Sequence, residues 1–194
     1  MSKDWDNAYK AGDTPWDKGY ASPPIVEYLS GASVCGSVLV PGCGSGHDVR
    51  VLAGTGANVI GLDLAPTALA KADSFIKAGN EVYVLGDFLN LPKDLHSHFD
   101  FVVEHTCLCA LEPSQRSSYV DSVIEALKPG GHLLAVFFCK VSNYTGEGPP
   151  HPISPEEVEA LFSDRMIFVE RSVPQQTYSG RPVGSEQLCL LRKP

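Results

Sequence analysis

Short, nearly continuous apolar segments recur along the chain and alternate with longer amphipathic ones. Five are rich in β-branched residues, which is typical of strands buried on both faces of a sheet: SVLVPG (37–42), NVIGLD (58–63), EVYVLGD (81–87), FDFVVEHT (99–106) and HLLAVFFC (132–139). Between them lie segments long enough for crossover helices: HDVRVLAGTG (47–56), APTALAKADSFIKAG (65–79) and PSQRSSYVDSVIEALKPGG (113–131). This alternation predicts a parallel sheet covered by helices on both faces.

The two ends of the chain extend this pattern. A helix is predicted over residues 24–31, because Gly31 is a typical helix end. A second helix is predicted over residues 154–163, where Ser154 and Glu157 form a capping box. The helix near the end of the chain follows a loop rich in Gly and Pro, NYTGEGPPHPI.

Two further apolar segments, residues 166–173 and 185–193, follow each other without a helix between them, which predicts a hairpin. We therefore predict an α/β fold: a doubly wound, Rossmann-like, seven-stranded sheet that is mostly parallel, with one antiparallel edge strand. The 194 residues, 43% of them hydrophobic, suit a single domain.

The net charge of −8 and the absence of a basic run argue against nucleic acid or an anionic membrane as partner. No segment has the eighteen or more apolar residues of a membrane span, and the polar N-terminal sequence has no signal-peptide core. We expect a cytoplasmic protein that is a monomer or a weak homodimer.

Six cysteines lie mostly within apolar segments, which is typical of reduced, small hydrophobic residues: Cys35, Cys43, Cys107, Cys109, Cys139 and Cys189. Cys107 and Cys109 are the one pair spaced to bind a soft metal. We favour the interpretation that this pair is simply two thiols that follow a buried strand, and we predict no metal site.

A glycine-rich loop follows the first predicted strand. Gly42, Gly44 and Gly46 are spaced Gly-x-Gly-x-Gly, whereas a dinucleotide fingerprint requires glycine or alanine where this chain has His47. No Gly-Lys-Ser/Thr follows, so the loop is not a phosphate-binding P-loop. Its backbone can approach a nucleoside-linked ligand that has no pyrophosphate.

Acidic residues end the second and third predicted strands. Asp63 is placed to accept hydrogen bonds from ribose hydroxyls, in a nicotinamide nucleotide and in S-adenosylmethionine alike; alternatively, it caps the next helix. Asp87 and Phe88 together suit the amino group and the flat face of an adenine.

The order of these features resembles a class I, seven-stranded S-adenosylmethionine-dependent methyltransferase. Within that class, the chain is similar to the thiopurine and thiol/halide methyltransferase family. The matching motifs cover most of residues 4–154: WDNAYKAGDTPWDKGYASP, LVPGCGSGHDV, GLDLAPTAL, GDFL, FDFVVEHTCLCALEPSQRSSYV, LKPGGHLL and GEGPPHPIS. The tryptophan-rich start and the PGCGSGHD loop are its specific parts.

The resemblance implies S-adenosylmethionine as cofactor and S-adenosylhomocysteine as its product. It implies an N-terminal lid over residues 1–31, a cofactor-binding core over 32–140, and a substrate loop with the C-terminal hairpin over 141–194. The cofactor ligands it implies are Trp5, Tyr9, Trp16, Gly42, Gly44, Asp63, Leu64, Asp87, Phe88, Glu104 and His105.

The acceptor pocket departs from the family pattern. Glu104 and His105 stand where thiol/halide members commonly have Asp-Tyr, and His151 stands where they have tyrosine. We hypothesise that His105 or His151 accepts a thiol proton, since imidazole titrates near neutrality; alternatively, each is a partly exposed loop histidine without a role. Arg116 either reaches an anionic acceptor or forms an ion pair on its helix.

The predicted function is methyl transfer from S-adenosylmethionine to a small soft nucleophile: a thiol, hydrosulfide, halide, thiocyanate or thiopurine-like heterocycle. We expect no obligatory catalytic residue, because alignment and exclusion of water supply most of the acceleration for such acceptors. The alternatives are a catalytically silent module that binds the cofactor and, disfavoured by His47, an NAD-dependent oxidoreductase.

Overall fold

The computed structural model describes residues 3–194, and seven strands form one sheet within them. The strands are β1 (Ser37–Pro41), β2 (Asn58–Asp63), β3 (Asn80–Leu85), β4 (Phe99–His105), β5 (Leu127–Phe138), β6 (Ile167–Ser172) and β7 (Glu186–Arg192). The helices are α1 (Trp5–Ala11), α2 (Pro23–Gly31), α3 (His47–Gly54), α4 (Pro66–Asp73), α5 (Arg116–Ala126) and α6 (Pro155–Phe162).

The order of the strands across the sheet is β3-β2-β1-β4-β5-β7-β6. Strands β1 to β5 pair in parallel, whereas β7 pairs antiparallel with both β5 and β6. The predicted fold class and hairpin are confirmed, and the antiparallel strand lies one place in from the edge strand β6. The chain reverses its direction of winding between β1 and β4, where their carboxyl ends leave a crevice.

Apolar side chains cover both faces of the sheet. Helices α5 and α6 pack on one face, where Tyr119 and Phe162 are fully buried. Helices α2 and α3 pack on the other, through residues such as Ile25 and Leu52. Because both faces are buried, the central strands are apolar at nearly every position, as the sequence pattern indicates.

Strand β5 begins earlier than the sequence predicts. The pattern assigns LKPGG to the crossover segment 113–131 and begins the strand at His132, but β5 already starts at Leu127, directly after α5. The pairing register between β4 and β5 shifts between Phe99 and Phe101. Gly130 N–H donates to the Lys193 carbonyl, and Lys193 N–H donates to the Gly131 carbonyl. Pairing with the chain end therefore draws the turn into the sheet.

Helix α4 ends at Asp73, well before the predicted limit at residue 79. The Ser74 hydroxyl donates to the Lys71 carbonyl, which offers the backbone an alternative to a further helical turn. The buried Glu81 carboxylate then accepts hydrogen bonds from the N–H groups of Ala78 and Gly79, at 2.7 and 2.8 Å. These bonds hold the segment that leads into β3.

Gly79 also packs directly against α3. A Cβ atom at this position would lie 2.4 Å from the Ala53 carbonyl oxygen, so one of the two backbones would have to move. We expect Gly79→Ala to lower the free energy of unfolding by about 1–3 kcal/mol, the usual cost of overpacking. Denaturant unfolding followed by circular dichroism measures it.

Gly31→Ala is the matched control, because no atom lies within 4 Å of its added Cβ and the residue is the last of α2. This change should leave the protein equally or slightly more stable. Equal stability of both variants would contradict the close packing of α3 against the segment that leads into β3.

Candidate active site

A cavity of about 530 Å³ opens at the carboxyl ends of the parallel strands. It lies where β1 and β4 diverge, which is the usual ligand position in doubly wound sheets. Its size is within the range of small-molecule sites. The ends of β1, β2 and β3 form one half, and the segments after β4, after β5 and before β7 form the other, while residues 3–20 cover the opening.

The glycine loop forms the wall after β1, and Gly42, Gly44 and Gly46 all have positive φ there. The Gly44 N–H donates to Asp63 Oδ2 at 2.8 Å. A Cβ on Gly44 would lie 2.6 Å from the Tyr9 hydroxyl oxygen, so a side chain would push the N-terminal segment away. Glycine is required here both by the left-handed backbone and by this close approach.

Asp63 ends β2 beside this loop, as predicted. Its second carboxylate oxygen accepts from the Ala65 N–H at 2.9 Å, so the residue also holds the start of α4. Burial raises the pKa of the Asp63 carboxyl, partly offset by hydrogen bonds from Ala65, Gly44 and Leu64. A carboxylate has about four lone-pair sites, so capacity for ligand hydroxyls remains.

Asp87, Phe88 and Leu64 continue this half of the wall. Asp87 Oδ1 accepts from the Leu89 N–H at 2.9 Å and caps a short 3-10 helix. Phe88 packs on Tyr119, with ring centroids 5.2 Å apart, and only 6% of its surface is exposed. Leu64 is the most exposed of the three, so an apolar ligand face has room against it.

The N-terminal segment, predicted as a polar lid, contains the helix α1. Asp4 caps this helix by accepting from the Asn7 N–H at 3.0 Å. Asp6 accepts from the Thr67 N–H at 2.8 Å, at the start of α4. The pKa of Asp6 is lowered to about 2 by its hydrogen bonds from Lys10 and Thr67. Helix α1 is thus attached to α4 by a charge at the N-terminus of that helix.

Asp17 fastens the other end of this segment. Its carboxylate accepts from the Ser45 hydroxyl at 2.6 Å and lies 2.8 Å from Lys71 Nζ and 3.1 Å from His47 Nε2. Burial alone would raise the pKa of Asp17, but hydrogen bonds from Lys71 and Ser45 outweigh it and hold this pKa well below its usual range. The lid is therefore tied to the glycine loop.

Three aromatic side chains of the lid face the cavity together. Trp16 packs edge to face on Trp5 and Tyr9, with centroids 5.2 and 5.9 Å away, and its indole N–H donates to the Tyr9 hydroxyl at 3.1 Å. Lys3 Nζ lies 4.2 Å from the Trp16 ring centroid and 5.1 Å from that of Trp5. The Lys3 ammonium therefore forms a cation–π contact with both indole rings.

His105, at the end of β4, lines the opposite half within a cluster of charged residues. Its Nδ1 lies 3.2 Å from Asp48 Oδ2, and its Nε2 lies 3.4 Å from Arg181 Nη1 and 3.9 Å from Glu186 Oε1. The Tyr178 ring packs against the imidazole, with centroids 5.6 Å apart. Only 8% of the His105 side chain is exposed, so this is not a free loop histidine.

Glu104 requires a correction, because its side chain does not line the cavity. Successive strand residues point to opposite faces, and Glu104 lies on the face opposite to His105. Its Oε2 accepts from the Tyr119 hydroxyl at 2.7 Å, and its Oε1 accepts from the N–H groups of Cys107 and Leu108. Glu104 therefore positions the turn after β4 from behind rather than contacting a ligand.

Arg116 and His151 also require correction, since neither lines the cavity. The Arg116 guanidinium donates to the carbonyls of His151 and Pro152 and pairs with Glu157 at 3.0 Å. The His151 N–H donates to the Cys109 carbonyl at 2.7 Å, and its side chain is nearly buried. Both residues hold the proline-rich loop, whose Pro149 and Pro150 do reach the cavity wall.

Three cysteines contribute to the wall: Cys43, Cys107 and Cys109. Burial raises the pKa of each thiol, that of Cys109 to about 12, so all three stay protonated and weakly nucleophilic near neutral pH. Across residues 3–194 no group of three or more metal-binding side chains comes together. Over the same residues, no helix is long and apolar enough to cross a membrane.

Several wall residues were not predicted from the sequence: Asp17, Asp48, Tyr178 and Arg181, with Glu186 directly behind them. Asp48 belongs to the PGCGSGHD motif, so a signal for it was present. Arg181 and Glu186 flank the start of β7 and meet β4 only through the fold, and no local pattern marks them.

Comparison with known proteins supports the interpretation of this cavity. The family model described as Thiopurine S-methyltransferase matches residues 1–182. The chain is 36% identical to thiocyanate methyltransferase 1 of Brassica oleracea, over 97% of this chain and 84% of the relative. It is 34% identical to probable thiol methyltransferase 2 of Arabidopsis thaliana, with the same shares covered.

A solved structure shows the same fold. It is the Burkholderia thailandensis 1,6-didemethyltoxoflavin-N1-methyltransferase with bound 1,6-didemethyltoxoflavin and S-adenosylhomocysteine, which aligns with a TM-score of 0.75 and 18% identity. The alignment covers 98% of this chain and 85% of that one. On the evidence of the family model and the relatives, the chain belongs to the Thiopurine S-methyltransferase family and is an S-adenosylmethionine-dependent methyltransferase.

Proposed function

We propose that the cavity holds S-adenosylmethionine across the ends of β1 to β3 and methylates a small sulfur nucleophile in the half formed by β4, β5 and β7. Relatives named thiocyanate methyltransferase and thiol methyltransferase support sulfur as the acceptor atom. The observation that supports the proposal is the aromatic cluster of the lid, which lies beside the glycine loop and has the Lys3 ammonium over its Trp16 ring.

The sulfonium end of the cofactor is positively charged and its nucleoside end is not. The cavity wall offers aromatic faces to the first and carboxylate acceptors to the second. The sulfonium suits the faces of Trp5 and Trp16, where cation–π attraction contributes about 0.5–2 kcal/mol. The ribose suits the remaining acceptor sites of Asp63, and the adenine suits Asp87 with the apolar surfaces of Leu64 and Phe88. Gly44 leaves the backbone accessible between them.

The reaction requires little from the protein beyond alignment of the reactants and exclusion of water. When bound, the cofactor supplies an electrophilic methyl group on a positively charged sulfur. Charge is neutralised as the methyl group moves to a soft anion, so an apolar site that excludes water favours the reaction. The lid residues Trp5, Tyr9 and Trp16 close the opening, and their attachment through Asp6 and Asp17 keeps it closed.

Beside the charged cluster around His105, the acceptor half is lined by apolar and sulfur-containing groups. Leu111, Phe138, Pro149 and Pro150 contribute hydrocarbon surface, and Cys109 contributes a protonated thiol. A polarisable, weakly hydrated sulfur acceptor fits this lining better than a hard, strongly hydrated oxygen anion, whose desolvation costs more. The protonated wall cysteines compete poorly with a substrate thiolate for the methyl group.

A first prediction concerns the lid cation site. Trp16→Leu removes an aromatic face, so we expect S-adenosylmethionine to bind about 2–30-fold more weakly, the equivalent of the cation–π contribution. S-adenosylhomocysteine has no sulfonium and should lose much less affinity. Titration calorimetry with both ligands measures the ratio, and Trp16→Phe should preserve most of it.

Asp63→Asn provides the contrast to this experiment. It weakens a hydrogen-bond acceptor for groups that both ligands share, so both affinities should fall by a similar factor. If Trp16→Leu instead weakened both ligands equally, the sulfonium would not lie against the lid aromatics.

A second prediction tests the reaction itself. With S-adenosylmethionine present, methylated product should form from at least one sulfur acceptor among an aliphatic thiol, hydrosulfide, thiocyanate and a thiopurine, measured by mass spectrometry. Iodide and NAD are included as comparison compounds. Tight cofactor binding without turnover on any acceptor would contradict the proposal and favour a silent binding module.

A further inference from the structure

His105 lies between two acids and a guanidinium in the acceptor half of the cavity. Asp48, in the first turn of α3, contacts Nδ1 from one side at 3.2 Å. Arg181 and Glu186, from the segment before β7 and its first residue, lie on the Nε2 side at 3.4 and 3.9 Å. The imidazole is therefore fixed by elements from three separate parts of the chain.

These contacts determine where the imidazole proton lies. A guanidinium can only donate, so the nitrogen that faces Arg181 must present its lone pair. The proton is then on Nδ1, where it donates to Asp48. Asp48 is held in turn, because its other oxygen accepts from the Ser22 N–H at 2.6 Å. The Nε2 lone pair then faces Arg181 across a long contact of 3.4 Å, which a thiol entering from the cavity would replace.

The surrounding charges suit a histidine that gains a proton. Asp48 and Glu186 both lie close enough to stabilise an imidazolium, and Glu104 lies on the same strand behind it. Arg181 opposes the added charge, but it pairs with Glu186 and stacks on the Phe138 ring, 4.3 Å from its centroid. Tyr178 covers the remaining face of the imidazole.

The carboxylates in the rest of the cavity wall each hold a group of the protein. Asp63 holds two backbone N–H groups, and Asp87 caps a helix while accepting from Asn90. Asp17 is paired with Lys71. Among the residues described, His105 is the imidazole of the acceptor half, whereas His47 is paired with Asp17 and Arg50 beside the glycine loop.

We propose that this enzyme takes its acceptor as a protonated thiol and that His105 removes the proton, with Asp48 as the positioning residue that keeps the Nε2 lone pair available. The inference rests on the proposed function and deepens it. It predicts that the acceptor class includes thiols that are not ionised at neutral pH, besides anions such as thiocyanate that carry no proton.

The atoms and charges balance in this step. The S–H proton moves to Nε2 and leaves the electron pair on the acceptor sulfur. A bond forms from that sulfur to the methyl carbon, while the bond from the methyl carbon to the sulfonium sulfur breaks and its electron pair stays on the departing sulfur. The imidazolium, stabilised by Asp48 and Glu186, later releases its proton to water.

The test compares an acceptor that has a proton with one that has none. His105→Gln should lower kcat/KM for 2-mercaptoethanol at neutral pH by about 100-fold or more, the usual contribution of a general base. Turnover of thiocyanate, which has no proton to lose, should fall by a much smaller factor. As the pH rises toward the pKa of this alkyl thiol, which lies above the cysteine value of about 8.5, the variant should recover because solvent then supplies the thiolate.

Asp48→Asn tests the positioning role separately. The asparagine oxygen still accepts from Ser22, but its amide N–H₂ favours a lone pair on Nδ1 and so places the imidazole proton on Nε2. We expect the same selective loss for the thiol. In the protein without cofactor, ¹⁵N NMR should show the Nδ1–H tautomer of His105 in the wild type and a larger share of the Nε2–H tautomer in the variant, although Arg181 still faces Nε2.

His98→Gln and Asp94→Asn are matched controls. Both residues are exposed, near the amino end of β4 and far from the cavity wall. They should leave turnover of both acceptors unchanged. Binding of S-adenosylhomocysteine and thermal unfolding confirm that all four variants are folded.

The outcomes separate the two proposals. Equal losses for thiol and thiocyanate, or full thiol activity in His105→Gln, would overturn the proton transfer while leaving the methyltransferase intact. Absence of turnover by the wild-type protein with every sulfur acceptor would overturn the proposed function and this inference with it.

Discussion

The hydrogen bond from the Gly44 N–H to the Asp63 carboxylate, 2.8 Å long, joins the ends of the two strands on which the site is built. It fixes the left-handed loop after β1 and orients the acid after β2 in one contact. It also positions the surface on which the lid rests, because Tyr9 lies where a Gly44 side chain would be. The glycine loop, the acid of β2 and the surface under Tyr9 therefore meet at this contact.

Charge is distributed so that the two halves of the cavity do different work. Acids engaged by backbone N–H groups line the half that we propose for the nucleoside, while aromatic rings cover the end that we propose for the sulfonium. Asp17 ties the cover down with a carboxylate whose pKa is held low, so this attachment is complete above the ordinary carboxyl range and is lost only as the pH falls through that lowered value. The acceptor half instead contains His105, which contacts Asp48 at 3.2 Å and which we propose as the base.

The hydrophobic pattern predicts the sheet closely, because strands buried on both faces have little freedom in composition: β2 has the predicted bounds. It fails where tertiary pairing decides, as at the start of β5, which the chain end draws into the sheet. Neighbouring positions in one motif also diverge, since Glu104 points into the core and His105 into the cavity. The contact between Arg181 and His105, which are distant in sequence, is created only by the fold.

The central claim is that the cofactor binds between the glycine loop and the N-terminal lid. Backbone hydrogen exchange with and without S-adenosylhomocysteine tests it most directly, because it reports on each segment separately. The account predicts slower exchange in residues 42–46 and in residues 3–20 when the ligand is bound. Unchanged exchange in these two segments, with protection elsewhere in the protein, would contradict it.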